Sequence, residues 1–430
     1  MQLGLLLYDE NERIGGHKPL HGAAIAAAAL NRGWTVHVCS GSLFCDALAR
    51  MLAELQVHGD IVLHRVKSQP WIRSPGMLSA VNGILYKQLL TYCGLQDFWQ
   101  HFPERERTPW VHLLNGDECA YSIAALGSPL GAVPVSMVLF ADYTSIDTCV
   151  DGVRGRLKAL LKKKALTGLL ERREVASILT TNPLLARKVA LQALDVHQKL
   201  SYIQDIGAPW HRHKTRNEAR QEVGLSATAQ VVLCYGNLDS GRKNIRYLLD
   251  LLERDAEGKL VGLLVGTVSP DCRRLLEQSR ARMLMDRGKL LVCEGFASSR
   301  LENLVFSAAD AVWLAYKNFK GPSGVLELAC AAEVPVIACM GGVIGEIVST
   351  ERVGTFIGGE DLDADYRIIM RLFTDDLLYQ KAVAACRHRG FQGGMHKFGN
   401  AICDAIAKVE SGAVSPRGSG HANGVNASAH

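Results

Sequence analysis

Short apolar runs alternate with longer stretches in which apolar residues recur every three or four positions, and this rhythm continues along most of the chain. Leu3 to Tyr8 reads as a strand, the Ala-rich stretch His21 to Arg32 as a helix, and Thr35 to Cys39 as a second strand, a βαβ opening. Ile61 to His64, Val111 to Leu114, Val133 to Phe140 and Ser177 to Thr180 are further strand-like runs, and a helix starts at Pro183. Apolar runs of this kind, separated by helical patterns, predict a parallel sheet covered on both faces. Gly, Pro and charge cluster from Ile206 through Pro209 to Lys214, which places a domain joint there. A second alternation follows, with strands near 231–235, 260–265, 289–293, 311–315, 335–338 and 354–357. The fold class predicted is α/β, with two tandem Rossmann-like doubly wound parallel sheets facing a central cleft. Residues 1–205 form the first domain, 206–390 the second, and 391–411 a C-terminal helix packing back on the first. Residues 412–430, rich in Gly, Ser and Ala, make a disordered tail.

A chain of 430 residues exceeds the usual size of a single core, and an apolar content of 48% suffices for two. With 48 basic and 43 acidic residues the net charge is only +5, which excludes a dedicated nucleic-acid binder. The twelve cysteines form no CxxC pair or short Cys/His cluster. Structural zinc, iron–sulfur ligation and a disulfide framework are therefore not expected, and a reducing cytoplasm is. The amino terminus lacks a basic segment ahead of an apolar run, and no stretch reaches the ~18 apolar residues of a membrane span.

Ligands of open α/β sheets bind at the carboxyl ends of the strands, so the polar loops there are the candidate chemistry. After the run Ala311 to Ala315, Gly321, Pro322, Ser323 and Gly324 open a helix that passes through Glu327. Pro322 suits the first helical position, where its missing N–H costs nothing. The free N–H groups at Ser323, Gly324 and Val325, with the positive end of the helix dipole, would face an anion. Glu327, one turn deeper, would accept from hydroxyls; a phosphate beside a ribose fits both. In VVLCYGNLDSGRKN a strand ends at Gly236, and Arg242 and Lys243 stand at the start of the next helix, two cations suited to a diphosphate. LLVCEGF ends in Gly295 and Phe296, where backbone can approach a flat base closely.

The order GNLDSGRKN, VCEGF, ADAVWLAY and SGVLELACAAEVPVIACMGGVIGEIV resembles the donor-binding half of the family 4 glycosyltransferases of the GT-B fold, over roughly residues 205–390. The first domain shares the βα opening, with Gly15, Gly16 and His17 in its loop. The resemblance implies a nucleotide-diphosphate-sugar donor, a carbohydrate, lipid-linked or small-molecule acceptor, retention, and no bound metal or separate cofactor. It implies that Arg242 and Lys243 hold the diphosphate, Gly295 and Phe296 line the base, Glu327 binds the ribose, and Glu346 helps to order the donor site. Three positions depart from it. Phe319 stands where a first Glu precedes Glu327, Gly236-Asn237 replaces Gly-Arg, and Phe140-Ala141 replaces a His facing the sugar. Asp142 is the nearest polar substitute, or else a turn residue.

His17 can reach phosphate or acceptor from the first domain, or be an exposed loop histidine. Asp117 and Glu118 can hold an acceptor hydroxyl, or be plain loop carboxylates. From Arg154 to Arg173, Leu157, Leu160, Leu161 and Leu169 recur among Lys158, Lys162, Lys163 and Lys164. That helix either lies on an anionic membrane or turns its leucines to the core. A binding protein that kept the donor fold and lost turnover is the alternative to an enzyme, since Phe319 and Phe140 replace two reactive side chains. A nicotinamide oxidoreductase is excluded, because no GxGxxG follows the first strand and Cys39-Ser40-Gly41 stands where an acid would end the second.

Overall fold

A computed structural model describes residues 3–9, 18–66, 80–143, 152–192, 194, 198–207, 210 and 212–411. The loop with Gly15, Gly16 and His17, part of the joint around Pro209, and the tail 412–430 lie outside the described residues. The first sheet contains β1 (Gly4–Asp9), β2 (Thr35–Ser40), β3 (Ile61–Arg65), β4 (Trp110–Leu113), β5 (Val135–Leu139), β6 (Val175–Thr180) and β7 (Leu200–Tyr202), in the order β3-β2-β1-β4-β5-β6-β7. The second contains β8 (Gln230–Tyr235), β9 (Leu260–Gly266), β10 (Leu290–Glu294), β11 (Ala311–Leu314), β12 (Val336–Cys339) and β13 (Gly354–Ile357), in the order β10-β9-β8-β11-β12-β13. Neighbouring strands are parallel throughout both sheets. The predicted class of two tandem doubly wound sheets is therefore the observed one.

Helices cover both faces of each sheet, so central strands such as β1, β4, β9 and β11 are buried at every position. Beside β1, the helix Lys18–Leu30 is buried on nearly all sides. Its Ala and Gly residues let other helices come close. A Cβ on Gly22 would lie 2.9 Å from the Phe44 ring, and one on Gly399 would lie 2.0 Å from the Ala24 carbonyl oxygen. Gly399 belongs to the last helix, Met395–Glu410, whose Phe398, Ile402, Cys403 and Ile406 enter the core of the first sheet. The chain thus crosses between domains twice, once after β7 and once before this helix. The two crossings touch where the Gly207 N–H donates to the Gly393 carbonyl at 3.3 Å.

The lysine-rich helix spans Gly152–Glu171. Leu166, Leu169 and Leu170 pack into the core, whereas Leu157 and Leu160 are half exposed. Its leucines therefore divide between the two surroundings, and the side chain of Arg154 lies outside the described residues. Among the described residues no helix is long and apolar enough to cross a membrane.

In the middle of β4, the fully buried His112 sits 2.8 Å from Ser136 Oγ, which also accepts from Trp110 Nε1 at 2.9 Å. The Ser136 hydroxyl, with one proton and two lone pairs, can pair with Nδ1 of either neutral tautomer of the imidazole. Burial, with a smaller contribution from His21, lowers the pKa from 6.5 to about 3. The folded state therefore binds fewer protons than the unfolded one, and stability is full above the unfolded value and lost as pH falls below it. Between pH 7 and pH 5 this group alone is expected to cost about 2 kcal/mol. Unfolding of His112→Gln, which keeps a hydrogen-bonding group for Ser136 and cannot titrate, should be flatter over that range than wild type by this amount; equal slopes would refute the assignment.

Candidate functional site: a cleft with two adjoining cavities

Three neighbouring strands of the second sheet end in glycine at the cleft: Gly236 after β8, Gly266 closing β9 and Gly295 after β10. Gly236 N–H donates to Val265 O at 2.9 Å and Gly295 N–H to Gly266 O at 3.0 Å, so the strand ends stay joined as a shelf. Gly266 has φ +139°, and a Cβ there would lie 1.8 Å from the Gly236 oxygen. At Gly295, φ +122°, a Cβ would meet nothing within 4 Å, because the position faces open space.

That space is a cavity of about 540 Å³. Gly236, Gly295, Phe296, Gly324 and Val325 line it from the second domain, and Leu20 and Met51 close it from the first. A second cavity of about 640 Å³ adjoins it at Gly324. Phe319, Gly321 and Pro322 form one side, and Lys18, His21, Asn115, Glu118 and Phe140 the other. The two meet at the amino end of the helix Gly324–Ala331, whose N-cap Ser323 is buried and makes no side-chain cap. Gly324 N–H and Val325 N–H accordingly have no acceptor among the described residues, and with the helix dipole they present positive potential where the cavities join.

Gly236, Gly295, Phe296, Gly324 and Val325 are thus brought together in one cavity, as candidate donor contacts require. Arg242 stands at its edge. The guanidinium lies 5.3 Å from the Tyr316 ring centre and 5.5 Å from that of Phe319, and Nη2 reaches the Asn237 carbonyl at 3.5 Å. Phe319 lines one cavity and Asn237 the other, so Arg242 sits between them.

Lys243 and Glu327, like Arg242, line neither of these two cavities, and both are turned toward protein partners. Lys243 is 1% exposed; its Nζ donates to Tyr235 O at 2.6 Å and to Tyr316 Oη at 2.8 Å, and lies 4.7 Å from the Tyr316 ring centre. Carbonyl, hydroxyl and aromatic face replace its hydration shell. Glu327 is 3% exposed and forked onto Arg389, with Oε1 2.6 Å from Nη2 and Oε2 3.1 Å from Nε. Gln204 Nε2 reaches Oε2 at 3.4 Å. Burial raises the carboxyl pKa against the pull of Arg389. Both of its oxygens are held from the protein side.

Glu346 lines neither of the two cavities. Its Oε1 accepts from Arg187 Nη2 at 2.6 Å, tying the helix Gly342–Glu351 to the first-domain helix Pro183–Leu191. Asp142 lines neither cavity among the described residues, and its carbonyl accepts from Lys162 Nζ at 2.8 Å. His17 lies outside the described residues. Asp117 holds the loop after β5, accepting from Phe140 N at 2.9 Å, Ala141 N at 3.0 Å and Tyr143 Oη at 2.8 Å. Burial pushes its carboxyl pKa up, against those hydrogen bonds.

Among the cavity residues that escaped the sequence reading are His21 and Glu302. His21 Nε2 is 2.8 Å from Asp205 Oδ1, and its ring stacks between Phe140 and Phe398, 5.5 and 4.7 Å away. Glu302 lines the first cavity and accepts from Tyr235 Oη at 2.5 Å. His21 reads as one position of an apolar helix, and Glu302 as an ordinary first-turn acid; only the tertiary neighbours distinguish them. Glu118 faces the second cavity with Lys18 and Lys87 at 3.4 and 3.3 Å. Among the described residues no group of three or more His, Cys, Asp or Glu side chains could share a metal ion.

No protein-family model and no curated protein matches this chain. Solved structures do. HepE of Anabaena in complex with UDP-glucose is 16% identical, covers 95% of this chain and 100% of its own, and superposes with a TM-score of 0.64. Sucrose-phosphate synthase from Thermosynechococcus elongatus is 16% identical over 96% of this chain and 100% of its own, with a TM-score of 0.67. WaaG, a glycosyltransferase involved in lipopolysaccharide biosynthesis, is 15% identical over 94% and 99%, with a TM-score of 0.59. At these identities the likeness is one of fold, and it extends over both domains.

Truncating one partner of a buried ion pair costs about 3–5 kcal/mol, because the other charge is left unpaired. Glu327→Gln is therefore expected to destabilise the second domain on that scale in urea unfolding, with little change in nucleotide affinity. Unchanged stability with lost affinity would return Glu327 to the ligand.

Proposed function

We propose that this chain is a glycosyltransferase that moves a sugar from a nucleoside-diphosphate-sugar donor to a carbohydrate or lipid-linked acceptor. The observation that carries the reading is the junction of two cavities at the uncapped amino end of the helix Gly324–Ala331. A diphosphate there would accept from Gly324 N–H and Val325 N–H, with Arg242 beside it. The base would lie on Gly295 under Phe296, and the transferred sugar would point toward Phe319 and Gly321, with the acceptor among Asn115, Glu118 and His21. The bound UDP-glucose of HepE and the transferase identity of WaaG support the same class of donor and reaction.

Chemically, such a transfer must stabilise charge on the departing diphosphate, and preorganised donors outside bulk water do this best. Helix amides and Arg242 supply that stabilisation without a metal ion. Retention, as among the family 4 enzymes, fits a site whose leaving oxygen can itself take the acceptor proton. Phe319 in the sugar cavity favours a second reading, a protein that binds the donor without turnover.

Nucleoside diphosphates and their sugars should raise the thermal midpoint of the full chain. Arg242→Ala should weaken that binding about 10- to 100-fold, the value of one charge-assisted contact. Binding without sugar release on any acceptor would favour the second reading, and no shift with any nucleotide would dismiss both.

We further propose that the helix Gly152–Glu171 rests on an anionic membrane, with the half-exposed Leu157 and Leu160 beside the exposed Lys158, Lys163 and Lys164. Sedimentation with vesicles containing phosphatidylglycerol should lose most of its bound protein in Leu157→Ser/Leu160→Ser, and binding to neutral vesicles should be weak in either form. Equal sedimentation of both forms would refute the contact.

A further inference from the structure

The first cavity contains one carboxylate among its described lining residues, Glu302, and no Lys or Arg. Its helix, Ser299–Ala308, begins three residues after Phe296, so the acid rises from the wall on which a flat base would lie. One neutral donor fixes it: Tyr235 Oη donates to Oε2 at 2.5 Å, and the Tyr235 ring is itself held edge-on by Phe306 at 5.1 Å. Phe296 is 91% exposed, leaving a free aromatic face at the cavity. A half-buried carboxylate without a cation is costly unless further N–H or O–H groups reach it. Burial accordingly raises its pKa.

We infer that Glu302 reads the nucleobase of the donor and selects guanine, an inference that rests on the donor-site reading above. The Watson–Crick edge of guanine offers N1–H and the 2-amino group side by side, two donors for the oxygens of one carboxylate. Uracil offers a single N3–H between two carbonyl oxygens, which a carboxylate repels. Adenine and cytosine each place an acceptor next to their amino group, and that acceptor would face the acid. Oε2, already accepting from Tyr235, keeps a second lone pair, and Oε1 has no partner among the described residues.

The test is titration calorimetry of the full chain with GDP, IDP, UDP and ADP. GDP should bind about tenfold or more tighter than UDP and ADP, and IDP, which lacks the 2-amino group, about tenfold weaker than GDP. In Glu302→Gln the preference for GDP over both IDP and UDP should collapse toward unity, with its folding checked by its melting curve. The wild-type GDP/IDP ratio tests the contact even if that variant does not fold. Arg242→Ala should instead weaken all four ligands alike. UDP binding as tightly as GDP, or a GDP/IDP ratio of one, overturns the base assignment and leaves the donor reading standing. Failure of every nucleotide to bind removes the donor reading, and this assignment with it.

Discussion

The buried fork between Arg389 and Glu327 holds the cleft in register. Its two side chains are 2% and 4% exposed, and the guanidinium also reaches Glu351. One end belongs to the helix whose amino terminus stands at the cavity junction, the other to the helix Asp376–Gln392 that leads back to the first domain. Gln204, on the outgoing crossing, donates to the Arg389 carbonyl at 2.9 Å. Outgoing crossing, returning crossing and the helix at the cavity junction therefore share one hydrogen-bonded cluster. A buried pair of this kind adds little net stability over an apolar substitute, but it is costly to break, and that penalty resists rotation of the helix.

With the helix so fixed, the parallel sheets do the rest. Parallel strands bring all their carboxyl ends to one edge, and the double crossing sets the two edges face to face. Glycines at the ends of β8, β9 and β10 keep the floor free of side chains, and the apolar Leu20 and Met51 line the cavity from the first domain. Cations are sparse at the junction, since Lys243 is turned inward onto Tyr235 and Tyr316. Positive potential there comes from the helix dipole and Arg242.

Twelve of the strands were legible as apolar runs, most plainly the central ones, since a strand covered by helices on both faces must be apolar on both. β7 was not. It is an edge strand of three residues, Leu200–Tyr202, with no buried position, and it pairs only with β6, so its residues carry no pattern that burial would impose. The return of the last helix to the first domain was legible in outline from its periodicity. Its contact was not, for Gly399 and Ala24 lie far apart in the chain and meet only because neither has a bulky side chain.

Sequence alone determined where the strands end and which residues punctuate them, since Gly236, Gly295 and Gly324 mark backbone turns whose constraints are local. It could not determine which way the neighbouring side chains point. Arg242 and Lys243 are adjacent in the turn ahead of the helix Ile245–Arg254, yet the first lies over the rings of Tyr316 and Phe319 and the second is buried against Tyr235 and Tyr316. Glu327 was spoken for by a residue 62 positions on, and His21 by one 184 positions on. Those pairings, and the placing of Glu302 beside the shelf, were decided by tertiary packing, because a charge taken out of water binds whatever partner the fold brings within reach.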